Sequence, residues 1–594
     1  MTSKAFFRSW GAEYLDSGAV RFALWATGQK KVTLRLNGED REMEPGLDGW
    51  FSLELEGIKP GAEYNFVLAD GMVVPDPASR AQKEGVNGPS LVIDPQNYRW
   101  ENAGWAGRPW QESVVYEMHI GTFTPEGTFS AATEKLAYLA GLGITMIEVL
   151  PLSQFGGDRG WGYDGVLLYA PHSAYGTPED FKAFVDAAHG HGLSVVLDIV
   201  LNHFGPEGNY LPLLSPHFFH KERMTPWGAG IAYDIDAARR YIVEAPLYWL
   251  EEFHLDGLRF DAIDQIEDSS DRHALIEIAE RIRADITDRP VHLTTEDCRN
   301  VIYLHPRNAD GSVPLFTGEW NDDFHNAVHV FATGETHAYY QDFAAEPEKL
   351  VARTLTEGFA YQGEESLQSG EKRGVKSTGQ PPVAFVDFIQ NHDQIGNRAQ
   401  GERLIDLAGA DRTKVLLATL LLSPHIPLLF MGEEYGETNP FLFFTDFHGD
   451  LAKAVREGRA REFKGHAGHG EVVPDPNARE TFAMSKLDWN KTGSEQGKEW
   501  LALTSKLLKL RQQHIVPLLH NAGGNSGKVV KTAKGFLAVS WDFPQGTLSL
   551  ALNIGENTQP LPDLPGEKIF GWPQGITDLP QNSIIVRLAQ GEAE

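Results

Sequence analysis

A second cysteine is missing from this 594-residue chain: Cys298 stands alone, so no intrachain disulfide can form and the fold does not depend on an oxidising compartment. Long apolar runs are missing too. The longest, VLLATLLL at residues 415–422, is too short to span a bilayer. The opening MTSKAFFRSWGAEYL lacks the apolar stretch of about 7–15 residues that a secretory signal uses. These absences predict a cytoplasmic chain. Positive charge is scarce: 52 Lys and Arg against 82 Asp and Glu give a net charge of −30, which repels phosphate backbones and anionic lipid. Nucleic acid and membrane surfaces are therefore not expected partners, and a neutral substrate fits better. No period of about 20–50 residues recurs, which excludes a solenoid.

What is present is enough apolar content, 42%, to fill more than one core, in a chain long enough for two to four domains. Aromatic residues make up 11%, including 14 Trp, which permits stacking on sugar rings without requiring it. Residues 1–98 carry short alternating segments (AVRFALWA, KVTLRLNG, WFSLELEG, AEYNFVLA) bounded by turn formers, the pattern of a β-sandwich. A linker rich in Pro, Gly and Asn follows. From about residue 110, buried apolar runs alternate with amphipathic helices, as parallel strands covered on both faces require.

Eight such runs are SVVYEMHIGTF (113–123), ITMIEVLPLS (144–153), LSVVLDIVLNH (193–203), LDGLRFDAI (255–263), VHLTTED (291–297), VPLFTGEW (313–320), VAFVDFIQNHD (383–393) and IPLLFMGEEYG (426–436). Eight strand and helix pairs predict a (β/α)8 barrel with reactive groups at the C-terminal strand ends. Residues 523–594 return to Gly-punctuated strands (KVVKTAKGFLAVSWDF, TLSLALNIG, SIIVRLAQ). The expected architecture is multidomain: a sandwich over 1–98, a barrel over 99–522 and a small β domain over 523–594.

Between the second and third runs, Thr177 suits an N-cap, Pro178 the first helical position and Asp180 a capping box, with Phe181, Phe184, Val185 and Ala188 as the apolar stripe of a helix ending near Gly190 and Gly192. The HGH at 189–191 falls at that helix end rather than a strand end and is expected to be solvated.

Carboxylates close four of the runs: Asp198, Asp261, Glu296 and Asp393. Glycosidic hydrolysis needs one carboxylic acid to protonate the leaving oxygen and one carboxylate to attack or stabilise the anomeric carbon. Arg259 and Asp261 are two apart on one strand, so they share a face and the guanidinium can hold the aspartate ionised as a nucleophile. Glu296, expected to lie without a close cation, can stay protonated as the general acid. Asp393, beside His392, is placed to bind hydroxyls and stabilise the charged transition state. Each has a plain structural reading as ion pair, loop residue or turn former, but the coincidence of four at successive strand ends favours catalysis. Cys298, two positions past Glu296, is expected to be a small buried thiol without a catalytic role.

DIVLNH, GLRFDAID, TTED and FIQNHD resemble, in order, the four characteristic regions of the α-amylase superfamily of retaining α-glucan enzymes. The resemblance implies that Asp261 is nucleophile, Glu296 acid/base and Asp393 transition-state stabiliser. It further implies that His203, Arg259 and His392 surround the sugar at the cleaved bond, that Tyr163 in GWGYDG stacks on that sugar, and that Asp198 and Asn202 support the site. Longer strings, WGAEYLDSGAVRFALWA, YEMHIGTFTPEGTF, GDRGWGYDGVLLYAPHSAYG, NHFGPEGNYL, EWNDDFHNAVHV and FMGEEYGE, are similar to the maltooligosyltrehalose trehalohydrolase subfamily. That subfamily's members cut the α-1,4 bond next to a terminal trehalose. Glycogen branching enzymes and isoamylase-type debranching enzymes are the nearest alternatives. The segment from His203 to Tyr233 is short for the calcium-bearing excursion of amylases, so no metal and no cofactor is expected. Trp161, Trp320, Asp322, Asp323, Glu433 and Glu434 are candidates for contacting the trehalose unit.

Overall fold

A computed structural model describes residues 8–463 and 473–591 of the chain. Two antiparallel sheets occupy the N-terminal part. One pairs Gly11–Tyr14, Val20–Trp25, Trp50–Leu55 and Glu44–Pro45, and the other pairs Glu39–Glu42, Thr33–Leu36, Glu63–Val67 and Val73–Val74, with Ser90–Leu91 on Glu63–Val67. Alternation along these strands buries Val20, Phe22, Leu24, Leu34, Tyr64 and Phe66 in the core. This unit is pinned to the barrel wall by Ser9, whose N–H and hydroxyl both donate to the buried Glu244 carboxylate at 2.8 and 2.7 Å.

Eight parallel strands close into a barrel: β1 (Val115–Met118), β2 (Met146–Val149), β3 (Ser194–Ile199), β4 (Gly257–Phe260), β5 (His292–Thr295), β6 (Gly318–Trp320), β7 (Phe385–Phe388) and β8 (Ile426–Phe430), with β8 pairing back onto β1. All eight expected strands are present but shorter, seven of them at their C-terminal ends and β6 at its N-terminal end. IGTF, read as part of β1, is a helical turn at Ile120–Phe123, and the NHD after β7 begins the short helix His392–Gly396. At both places the backbone bonds locally instead of continuing the ladder: the Thr122 and Phe123 N–H groups donate to the His119 carbonyl, and those of Asp393 and Gln394 to Asn391 Oδ1. Inward-pointing Val115, Met146, Val196, Trp320, Val386, Phe388, Ile426 and Leu428 pack into one cluster, so the barrel is filled rather than hollow.

The intervening helices include α1 (Leu136–Leu142), α2 (Pro178–Gly190), α3 (Asp236–Glu252), α4 (Ala274–Asp285), α5 (Asp322–Thr333), α6 (His392–Gly396), α7 (Ala410–Leu422) and α8 (Glu495–Leu510). The capping box at α2 forms as expected: Thr177 Oγ1 accepts from Asp180 N–H and Asp180 Oδ2 from Thr177 N–H. At its far end the expectation of solvated histidines fails for one of the two. His191 is exposed, but His189 is buried, with Nε2 on Asp256 Oδ2 at 2.9 Å and its ring stacked on Trp105. It pins the helix to the start of β4.

The alternation of strand and helix also breaks once. Between β5 and β6 the crossover contains no helix. Several of its backbone carbonyls are taken by arginines instead: Arg283 donates to Leu315, and to Val291 just before β5, and Arg307 to Phe316, Thr317, His305 and Pro306. Burial pushes both guanidiniums down to about 10, as expected of cations taken from water without a carboxylate.

A five-stranded antiparallel sheet ends the fold, in the order Gly527–Ala533, Phe536–Phe543, Gly546–Asn553, Ser583–Gln590, Glu567–Trp572. No described helix is long and apolar enough to cross a membrane. Gly257 illustrates the tightness of the barrel: a Cβ there would lie 2.1 Å from the His292 carbonyl oxygen on β5. Gly257→Ala is expected to cost about 1–3 kcal/mol or more, read as a fall in apparent Tm, because backbone must shift to admit the methyl.

Candidate active site

The carboxylates meet at the C-terminal mouth, and Arg259 connects them. Its Nη1 donates to Asp198 at 2.9 and 2.8 Å and to Asp261 Oδ1 at 2.8 Å, while Nη2 donates to Glu296 Oε2 at 2.7 Å. Register explains Asp198, which lies directly opposite Arg259 on β3. Asp261 follows β4 by one residue, and Glu296 follows β5 by one. The guanidinium face rests on the Trp320 ring, 4.3 Å from its centroid, which fixes the plane from which the hydrogen bonds radiate.

One expectation is corrected here. Glu296 has a close cation, and the same one as Asp261. Its carboxyl is nevertheless pushed up to about 7, because burial and the neighbouring charges of Asp261 and Asp393 outweigh Arg259. Burial also carries Asp261 to about 6, against the pull of Arg259. The ordering is what acid and nucleophile require, with Glu296 the more readily protonated.

Around this core, Asn202 Nδ2 donates to the Asp261 carbonyl and Oδ2 at 3.1 and 3.2 Å, and its Oδ1 faces His203 Nδ1. His203 Nε2 donates to the Tyr163 carbonyl, and burial lowers its pKa to about 4. Tyr163 donates its hydroxyl to Asp198 Oδ2 at 2.5 Å and stacks on His392, whose Nε2 lies 2.8 Å from the same hydroxyl. Asp393 opens α6, where Asn397 Nδ2 donates to it at 2.6 Å. All nine residues singled out for catalysis, binding or support thus converge on one mouth. Among the described residues, no group of three or more His, Cys, Asp or Glu side chains is arranged to hold a metal.

Of the candidates for a disaccharide contact, most belong to the interior. Trp320 is 2% exposed under Arg259, and Trp161 is 7% exposed with its indole bonded to Leu442. Asp323 accepts from Asn300, Arg373 and two backbone N–H groups. Glu434 accepts from Tyr116 and Tyr138, while Glu433 takes the Phe430 N–H. Asp322 differs. It is half-buried, and burial together with Glu296 and Asp393 lifts it to about 8, so it belongs to the same acid cluster. Cys298 departs from its expected burial: it is exposed, in the loop beyond Glu296. The chain turns outward there.

Two residues at the mouth were not singled out from the sequence. Trp227, half-exposed at the tip of the hairpin Phe219–Thr225/Gly228–Ile231, stacks on His203 with ring centroids 4.7 Å apart. Glu117 of β1 takes His392 from below. Its signal was available as a charge inside the apolar run VVYEMHI.

A closed parallel barrel of this kind is shared with known enzymes. Residues 82–212 and 217–514 match the family described as "Alpha amylase, catalytic domain", which places the chain among glycoside hydrolases. It is 42% identical to the malto-oligosyltrehalose trehalohydrolase of Deinococcus radiodurans, over 91% of this chain and 90% of that one. A crystal structure from Salmonella typhimurium, described as a putative α-amylase, superposes with a TM-score of 0.97 at 75% identity, covering 98% of this chain and 100% of that one. A 1,4-α-glucan branching enzyme of Bacillus cereus is 25% identical over 81% of this chain and 75% of its own length. The chain belongs to the malto-oligosyltrehalose trehalohydrolase family within the α-amylases.

Proposed function

We propose that this protein hydrolyses the α-1,4-glucosidic bond next to the terminal trehalose of maltooligosyltrehalose, with retention, releasing trehalose and a maltooligosaccharide. The observation that carries the chemistry is that Asp261 and Glu296 occupy the two terminal nitrogens of one guanidinium. Such a bridge fits the short carboxyl separation of retaining enzymes, about 5–5.5 Å, better than the ~6.5–9.5 Å of inverting ones. Glu296 gives its proton to the bridging oxygen while Asp261 attacks the anomeric carbon, so trehalose leaves and a glycosyl ester forms. Glu296, now a carboxylate, takes a proton from water as that water attacks the same carbon and frees Asp261. Asp393 stabilises the oxocarbenium-like charge, and Tyr163, His203 and His392 surround the sugar ring.

The trehalose specificity rests on the 42% identity to a relative of that name, against 25% to a branching enzyme. The net charge of −30 suits neutral glucan, and the protein is proposed to be cytoplasmic without nucleic-acid or membrane partners. The division into 1–98, 99–522 and 523–594 belongs to the same reading, supported by separate sheets at the two ends.

The test is to incubate the protein with a maltooligosaccharide ending in trehalose and, separately, with the plain maltooligosaccharide, and to separate the products by chromatography. Fast release of trehalose from the first, with at least roughly tenfold slower action on the second, is expected. New α-1,6 branches on longer glucan would move the assignment to a branching enzyme.

A further inference from the structure

Beneath the mouth, a continuous line of hydrogen bonds crosses the barrel. Glu117, 1% exposed on β1, accepts from the His392 backbone N–H at 3.1 Å through Oε2 and from His392 Nδ1 through Oε1. On the other edge of that ring, Nε2 meets the Tyr163 hydroxyl. That hydroxyl has a single proton, directed to Asp198 Oδ2, so it must accept from Nε2. His392 therefore donates from both nitrogens. It is an imidazolium, held by the one carboxylate that faces it from below.

We propose that Glu117 is a positioning residue for this reaction: by keeping His392 doubly protonated it fixes the Tyr163–Asp198–Arg259 chain that grips Asp261 and Glu296. The inference rests on the catalytic reading of those two acids. Charge-assisted bonds at each link are roughly twice as strong as neutral ones, so the anchoring charge matters more than the contact alone. Burial opposes the charge on His392, yet Glu117 and Asp393 hold its pKa above the ordinary value. The charged and titratable groups facing the ring are Glu117 and His119 from β1 and its end, Tyr163 from the loop after β2, Asp198 from β3, Arg259 from β4 and its neighbour Asp393.

A second buried carboxyl sits beside Glu117. Glu148 is its register partner on β2, 3% exposed. Burial and the charges of Glu117 and Asp198 raise its pKa well above the carboxylate range. It supplies an internal control: the same residue type and burial, without a bond to His392.

Glu117→Gln keeps a polar side chain of the same shape that can bond a neutral His392, so it removes the charge and leaves the geometry. It is expected to lower kcat about 10- to 100-fold at pH 8 with KM within about twofold, while Glu148→Gln stays within about twofold of wild type. The ratio of wild-type to Glu117→Gln rates should shrink as pH falls and the freed imidazole, which burial then holds low, regains its proton. A structural defect would give a pH-independent ratio. Wild-type kcat in Glu117→Gln, equal losses in both variants, or a flat ratio would each overturn the proposal. Should Glu117→Gln fail to fold, Glu117→Asp decides on kcat and KM, since its shorter carboxylate cannot reach both donors of His392. Trehalose release by the unaltered protein, together with an inactive Asp261→Asn, keeps the catalytic reading standing in every one of these cases.

Discussion

Asp261→Asn is expected to abolish turnover, by at least roughly 10⁴-fold in kcat, with the fold intact. The amide keeps an oxygen for Arg259 Nη1, and the backbone N–H of residue 261 still bonds to the Ile199 carbonyl at 3.2 Å, so position and strand end are preserved. What disappears is the negative oxygen that attacks the anomeric carbon, and no neighbour replaces it: Asp198 is 2% exposed and bonded to Arg259 and Tyr163. The same change removes one of the charges that raise Glu296, so its pKa should fall in the variant. Trehalose release measured by chromatography, alongside an unchanged Tm, checks the prediction. Wild-type-like release would remove Asp261 as nucleophile.

Glu296→Gln has the second-largest expected effect, a loss of about 10²–10⁴-fold on the natural substrate. With an activated leaving group such as fluoride or a nitrophenol, less protonation is needed and the loss should be smaller. Equal losses on both substrates would sink the acid role. The pH dependence follows from the same assignment. A general acid must hold its proton, so activity falls as pH rises through the value of about 7 given to Glu296. A nucleophile must be ionised, so activity falls as pH drops through the value of about 6 given to Asp261. The pair titrates together, and a bell centred between those values is expected for kcat/KM. With the activated substrate, the alkaline limb should be lost in Glu296→Gln while the acid limb remains.

The barrel was legible because strands buried on both faces must be written as continuous apolar runs, and nothing in VVLDI or IPLLF competes with that signal. The four carboxylates were legible because a charge closing such a run is conspicuous. Two kinds of fact were not. Contacts made only when the barrel closes, such as Glu117 to His392 or Arg259 to Glu296, join residues 275 and 37 positions apart and leave no local periodicity. Departures from the repeat were also silent: the crossover after β5 has a helix's length but is tied by arginines. The edge strand Glu567–Trp572 went unrecognised in EKIFGWPQG because a short strand with a single buried residue gives weak alternation. Cys298 was expected inside for its type, yet two positions past Glu296, where the chain has left β5, it is exposed.

That arginine-tied crossover has a consequence for how this scaffold can change. A helix between two barrel strands sets a fixed pitch and must be lengthened or shortened by whole turns to keep its apolar face inward. Where Arg283 and Arg307 clasp the carbonyls of Leu315, Phe316 and Thr317 at the end that enters β6 instead, the stretch before them can gain or lose single residues without disturbing the barrel ladder. The segment starts at Glu296, at the C-terminal mouth of the barrel. The side of the mouth nearest the proton donor is thus the side most open to insertion, and grafting loops of different length there is the natural route to a different chain-length preference on an unchanged catalytic frame.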